Sequence, residues 1–532
     1  MKRTTLLCLF TILQALAYAQ FKTVAETPLF DEPESGHARL LQLKNGNTVV
    51  VRLSNRSGID ITVYNPDHKL AGNKHHDPSF EKLKGGRVNA IFETSGSTVT
   101  VLISEIQDRT PVLYRLLFDG NNGNLDREEK IAEAERYPFK DVRWIPEFDP
   151  VNSFSVSKDP ASDNYAIFIH RFKDELADKN QMEVVVYSGE HLEISRAFYQ
   201  PAYKYASFNY LDMAVLGDDR VCILGFAYNE IASNDREGQL VMTTLTKGGR
   251  RMTSELLDLS DNRIADSAVV RFNPVTKKLM LLGTAHIEDA NPQPYGGFLV
   301  IIDPFKAKVE QEVNIYPTEA DVQKKKLYGA KETFTGMPQD IVINDDGSFS
   351  IIYEELSTEK HTPRDATPYT YYMLDNAAVT AFDVNSKALY TSFIPKKQFL
   401  KNSSYPSFYI AHRKLSTQQL IAADQYRSFA YLAAKGKLYI FMNDAEQNTH
   451  PEKGDLVPLR VPANGQAFTY VTGSPAPERS LFFGKLRKDE THALAVFNLS
   501  DYNSTTNTYV TLKLEATRKE RKARLVWLTP EE

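Results

Sequence analysis

Cysteine is almost absent from this chain of 532 residues: Cys8 lies in an apolar N-terminal stretch, and Cys222 is the one other. A single cysteine outside that stretch can form no internal disulfide, so a disulfide scaffold is excluded and stability must come from burial. The neighbours Val221, Ile223 and Leu224 give Cys222 the setting of a small core hydrophobe rather than a reactive thiol. Beyond the N-terminus no run reaches the ~18 consecutive apolar residues that a membrane helix needs, so no membrane span is expected. Helical periodicity is nearly missing too, its best stretch being Glu319 to Leu327.

Catalytic signatures are equally scarce. There is no His-Glu-x-x-His, Gly-x-Ser-x-Gly, phosphate loop, dinucleotide fingerprint or Asp box, so no catalytic residue and no cofactor is assigned. Ser-x-x-Lys occurs at Ser155 to Lys158 and Ser357 to Lys360, and Ser-Asp-Asn at 162–164 and 260–262, but the Lys-Thr-Gly that would complete the set is missing. The acidic segment from Asp119 carries Asn124 and Lys130 where a calcium loop needs Gly and Glu, and it reads as a hairpin turn. With 63 basic and 68 acidic residues, the mildly acidic balance argues against nucleic-acid binding.

What is present begins with Lys2 and Arg3, an apolar run from Leu6 to Leu16 and the small-x-small triplet Ala17-Tyr18-Ala19. Together these read as a signal peptide over residues 1–19. The expectation is export to the periplasm or the exterior, with residues 20–532 as one domain.

The strongest pattern is an internal repeat. Windows beginning near residues 39, 88, 152, 208, 267, 338, 427 and 479 each show a strand, a tight Asn, Asp or Gly turn, a second strand, a polar stretch and a third strand. Examples are VNAIFE and TVTVLIS around Ser95-Gly96-Ser97, and QDIVI and SFSIIYE around Asp345-Asp346-Gly347. The spacing never falls below the ~40 residues of a four-stranded propeller blade. The fold class read from this is all-β, a β-propeller of four-stranded antiparallel blades, centred on seven blades within a range of about six to eight. Residues 126–136 take the place of an outer edge strand. The segment Phe21 to Leu29 is expected to close the ring against a final strand at Ala523 to Leu528, and the basic run Arg518 to Arg524 reads as a solvated edge or turn.

In such a meander the first-to-second and third-to-fourth turns share one end, and these are short. The other connections are long, as at 172–181, 228–238, 286–297, 354–368 and 445–454, and loops gathered on one face of a rigid scaffold are where binding usually lives. Acidic residues recur there just after the second strand: Glu105, Glu230, Glu288, Glu354 with Glu355, and Asp444. They are candidate binding residues, with calcium as a candidate ligand, although a merely solvated rim accounts for them as well. His361, Arg364, Tyr369 and Tyr371 add a polar and aromatic group suited to sugars or peptides, although the tyrosines begin a third strand and core or edge packing accounts for them better. His75, His76 and Asp77 fall in an inter-blade loop without a third histidine, so no metal site is assigned.

The segment GKLYIFMND at 436–444, followed by Asn448, resembles one found in secreted bacterial propeller-like proteins of unknown function, and implies no activity. The expected function is therefore a non-enzymatic exported module that binds a protein or glycan through its long-loop face. The alternatives are a carbohydrate-active propeller enzyme using paired rim carboxylates, or a purely structural envelope component.

Overall fold

Strands bounded by turn residues and rich in Val, Ile, Phe and Tyr need neighbours on both edges and cover on both faces, and the computed structural model supplies both. It describes residues 21–33, 35–54, 58–79, 87–136, 153–170, 182–199, 205, 207–230, 236–259, 265–286, 295–361, 369–400, 418–421, 426–427, 429–449, 456–460, 465–484, 492–516 and 521–531. The expected signal peptide lies outside these residues. Among them the chain forms eight four-stranded antiparallel meanders, which we number as blades in chain order. Their first strands are Ser35–Gln42, Arg87–Thr94, Phe154–Lys158, Ser207–Leu216, Ala265–Asn273, Met337–Ile343, Phe429–Ala434 and His492–Asn503. Blades 7 and 8 share a continuous sheet through one parallel bridge, Gln466 to Ala493.

Each pair of consecutive blades encloses its own apolar cluster. Val51 and Ile61 of blade 1 pack with Ile91 and Val101 of blade 2, and Phe92 of blade 2 packs with Tyr165 of blade 3. The series continues around to blades 7 and 8, where Phe441 meets Phe497. It returns to its start where Leu494, Val510 and Trp527 of blade 8 pack with Ala38 and Leu40 of blade 1. Both faces of every blade are thus covered, which is why second and third strands such as MEVVVY are almost uniformly buried rather than alternating.

The ring is closed without a covalent bond. Blade 8 takes three strands from the C-terminal segment, and its fourth is Phe21–Glu26, which pairs antiparallel with Arg521–Pro530. Phe21 is only 3% exposed and sits edge-on to Tyr439 and Phe441 at 5.2 and 5.3 Å. Trp527, fully buried, donates from Nε1 to Thr48 Oγ1 at 2.8 Å, tying blade 8 to blade 1. The basic residues expected on this edge pair with the N-terminal segment, Lys522 with Asp31 and Arg524 with Glu26. Such pairs near the surface contribute little beyond orientation.

On the tight-turn face a recurring side chain locks neighbouring blades. Asn503 Nδ2 donates to Leu43 O, and Asn273 Nδ2 to Gly347 O, each at 2.8 Å. The Oδ1 of each asparagine meanwhile accepts backbone N–H groups of its own turn. Asp159 performs the same task by accepting from Gly217 N at 3.0 Å. Gly347 has φ +83° and lies so close to Val275 that a Cβ would stand 2.8 Å from it; the turn signal there has a steric cause.

Several expectations change in detail. The blades number eight, the upper end of the expected range; the window near 479 falls on Glu478–Leu481, the last strand of blade 7, and blade 8 begins at His492. His75 and His76 end an outer strand, Leu70–His76, instead of lying in a loop. There His75 Nδ1 meets Asp60 at 2.7 Å and His76 Nε2 meets Glu128 at 3.1 Å. The outer strand Leu125–Glu133 and the helix Thr318–Tyr328 stand where expected. Cys222 is fully buried, and burial pushes its thiol up to about 12.

Since the ring closes through Phe21, Phe21→Ala should cost about 3–5 kcal/mol by cavity formation. Equilibrium denaturation checks this, and a loss below ~1 kcal/mol would mean that the N-terminal strand is dispensable.

Candidate functional site

Long connections between second and third strands occur in blades 3, 5, 6 and 7, at 171–181, 287–294, 362–368 and 446–464; the strands extend further than expected in blades 4 and 6, which cuts the connection expected at 228–238 to 231–235 and the one at 354–368 to 362–368. The equivalent joins in blades 1, 2 and 8 are short, at 55–57, 108–109 and 517–520. The face is therefore asymmetric around the ring. The acidic candidates of blades 6 and 7 lie within the second strands instead of just after them: Glu354 and Glu355 midway along Phe349–His361, and Asp444 next to last in Lys437–Ala445. Glu105 belongs to blade 2, where it is buried and accepts from Gln107 Nε2. Glu288 and Arg364 lie outside the described residues. Glu230, His361 and Tyr369 are placed in strands, with their side chains outside the description. Tyr371 packs on Phe399 at 4.7 Å.

None of the described acidic candidates is a solvated rim residue. Glu354 and Glu355 are 1% and 2% exposed and Asp444 is 0% exposed. Strand alternation sends the two glutamates to opposite faces of blade 6. Glu354 meets the fully buried Lys396, Nζ to Oε1 2.7 Å. Glu355 faces the helix Thr318–Tyr328, where Lys324 Nζ donates to it at 2.8 Å and the Thr335 N–H at 2.7 Å. Its other oxygen accepts from Asn376 Nδ2 at 2.7 Å. That contact is made at a bulge, where the register shifts between Glu354 and Leu356, and Asp375 and Asn376 stand opposite Glu355 alone. Bulges of this kind re-aim side chains.

Blade 7 supplies Asp444 through the segment singled out in the sequence. Asn443 and Asp444 point to opposite faces. Asn443 bridges to blade 8, donating to Ala495 O at 2.7 Å and accepting from Ala495 N at 2.9 Å. Asp444 Oδ1 accepts from Ala445 N and Asn448 Nδ2, both at 2.8 Å, and Asn448 clamps the peptide of Val457 through both side-chain atoms. The segment 436–448 is thus a device for anchoring a long connection.

Asp444 Oδ2, by contrast, is buried with no hydrogen-bond partner, as are Asp375 Oδ1, the Tyr470 hydroxyl, and Nε and Nη2 of Arg479. Burial pushes the Asp444 carboxyl up to about 6, against the pull of Asn448, Arg479, the Ala445 N–H and Lys396. Burial likewise raises Asp375. Tyr328 is raised by burial and then by the charges of Glu355, Asp375 and Asp444, and its hydroxyl donates to Asn376 Oδ1 at 3.4 Å. Sequence reasoning missed Asp375, Lys396, Tyr328, Tyr470 and Arg479. Lys396 stands in FIPKKQF beside Lys397 and Gln398, where nothing marks it as the enclosed one, and burial cannot be read from sequence.

Among the described residues no group of three or more His, Cys, Asp or Glu side chains is arranged to hold a metal ion. Ser155, part of a coincidental motif, hydrogen-bonds His170 Nε2 at 3.2 Å. Burial pushes that imidazole down to about 4, too low for an effective general base near neutral pH.

Asp444 has a direct thermodynamic consequence. Its value of about 6 exceeds the ordinary 3.8, so ionisation penalises the folded state: not at all below pH ~4, fully above pH ~6. Asp444→Asn, which stays neutral, should therefore gain up to about 3 kcal/mol over the parent near pH 7.5 and almost nothing near pH 4. Denaturation at both pH values measures this, and an equal effect at both would contradict the buried-charge account.

No model of a known protein family matches the chain, and no curated protein does. Solved structures similar to it include a polysaccharide lyase, with 10% identity over 87% of this chain and 93% of that one at a TM-score of 0.38. Another is the WD40 domain of SCAP from fission yeast, with 10% identity over 96% and 98% at 0.36. A third is a protein of unknown function from Dyadobacter fermentans, with 8% identity over 97% and 100% at 0.32. Enzymes and non-enzymes thus stand side by side among the neighbours at low identity, and none assigns an activity to this chain.

Proposed function

We propose that this protein is an exported, non-enzymatic binding module whose ligand-facing surface is the long-loop end of blades 3, 5, 6 and 7. The observation that carries the reading is the unequal distribution of connections. One end is closed by turns such as 217–219 and 435–436, and the other carries 171–181, 362–368 and 446–464. A scaffold locked by turn asparagines on one side, with long connections on the other, suits recognition by loops held on a rigid frame. The ion-paired Glu354 and Glu355 are held by lysines in the manner of structural groups, which favours binding over acid–base catalysis by that pair.

The segment Ser357 to His361 belongs to a strand paired with Tyr369–Met373, so the loop itself is 362–368. Replacing 362–368 and 171–181 by Asn-Gly hairpin turns should change stability by less than ~1 kcal/mol and abolish capture of the partner that the parent protein retains from an envelope extract. Undiminished capture of the same partner by the shortened protein would contradict the proposal.

A further inference from the structure

We propose that the tight-turn end of blades 4 and 5 docks on the surface of an anionic phospholipid bilayer. Docking there would leave the long loops, at the opposite end of the ring, facing away from the membrane.

Blade 5 builds one kind of turn twice. Asn273-Pro274-Val275 joins its first two strands and Asp303-Pro304-Phe305 its last two, so both stand at the same end of the blade. In the first, Asn273 Oδ1 accepts from Val275 N at 3.1 Å and from Thr276 N at 3.2 Å. In the second, Asp303 Oδ1 accepts from Phe305 N at 2.9 Å and from Lys306 N at 3.1 Å. Each closes on a residue in the left-handed region, Lys277 at φ +60° and Ala307 at φ +50°. The apolar tips Val275 and Phe305 are 50% and 53% exposed. The turn itself does not call for them, since the same frame in blade 8, built on Asn503 Oδ1, carries Thr505 at that position. Phe305 is also held in place: the Arg220 guanidinium lies 4.5 Å from its ring centroid, and Arg220 Nη1 donates to Pro304 O at 3.4 Å.

Around these tips the charge is one-sided. The whole chain has 63 basic and 68 acidic residues, yet the tight turns of blades 4 and 5 with their flanking strand ends, 216–220, 246–253, 273–278 and 303–308, carry eight Lys or Arg against three Asp. The corresponding segments of blade 3, 158–165 and 187–193, carry one basic residue against four acidic, and those of blade 6, 343–349 and 382–388, one against three. The positive patch is thus bounded on both sides. Its three aspartates are taken up by Arg220, Lys247 and Lys278. Arg250, Arg251, Lys277 and Lys308 are exposed and form no ion pair among the described residues.

Cations alone would suit any polyanion. Apolar tips set among them suit a bilayer, where lysine and arginine meet phosphate headgroups while a side chain such as Phe305 enters the acyl boundary. A soluble polyanion would engage the cations and leave both tips in water.

The test is cosedimentation of residues 20–532 with vesicles of phosphatidylcholine alone, and of phosphatidylcholine and phosphatidylglycerol in equal parts. It is run in about 0.1 M and about 1 M salt, between which the screening length falls from about 10 to about 3 Å. We expect binding to the anionic vesicles only, and weaker at the higher salt. A cation near an anionic surface is worth about fivefold, so Arg250→Gln combined with Arg251→Gln should weaken binding about 25-fold. Phe305→Ser should weaken it about tenfold, and Val275→Ser, on the other turn, should weaken it as well; unchanged unfolding midpoints establish that these surface variants fold. The protein with 362–368 and 171–181 shortened should bind vesicles as the parent does. No binding to anionic vesicles, equal binding to both kinds, undiminished binding by both Phe305→Ser and Val275→Ser, or loss of binding in the loop-shortened protein would overturn the proposal. Retention on heparin that depends on Arg250 and Arg251, without vesicle binding, would overturn it in favour of a soluble polyanion.

Discussion

Everything in this molecule depends on one pairing between distant ends of the chain: Phe21–Glu26 laid along Arg521–Pro530. Eight blades each bury one face against the next, and a row of that kind left open would expose the last face of blade 8 and the first of blade 1. With Cys222 buried as the sole cysteine of the described residues, no disulfide can hold the ends. The load falls on backbone hydrogen bonds, on Phe21 within its ring of aromatics, and on Trp527 reaching Thr48. Closure of this type turns a series of nearest-neighbour contacts into a cooperative unit.

A closed ring also explains how a costly arrangement persists between blades 6 and 7. Enclosed carboxylates with unsatisfied oxygens destabilise the fold locally, yet the surrounding interfaces are apolar and complete. Ile352 and Val379 pack against Ile440 and Phe468 directly below the polar group. The asparagine clamps of the tight-turn face keep the blades in register from the opposite end. Stability is thus concentrated at one end and around the closure, and the other end is left free to carry groups that do not stabilise. Such a division is common where a scaffold serves recognition.

Much of this was legible in the residues, and the reasons are physical. Repeating hairpins announced the blades because turn chemistry is local, and the partnership of Phe21 with the last strand followed from the need to cover a sheet edge. The last blade was misplaced because Glu478–Leu481 imitates the start of a blade, and blade 8 is complete only with a strand from the other end of the chain. Glu354, Glu355 and Asp444 were picked out as acidic residues expected just after the second strand, and they lie within it. Their burial was not foreseen: Glu354 and Glu355 are enclosed with Lys396 and Lys324, which reach them from connections remote in sequence. The segment around Asn443 and Asn448 stood out as a pattern, and only the packing shows that these asparagines stitch blade 8 and anchor the 446–459 connection.

Native-state hydrogen exchange at the closing strand tests the dependence on that pairing most directly. If the ring is one cooperative unit held by the two ends, the paired amides of Phe21–Glu26 and of Arg521–Pro530 should exchange with the same free energy as the most protected amides of blades 4 and 5, by global unfolding alone. Exchange of Phe21–Glu26 at much lower free energy, with the rest of the ring still protected, would show that the strand frays independently and does not hold the structure closed.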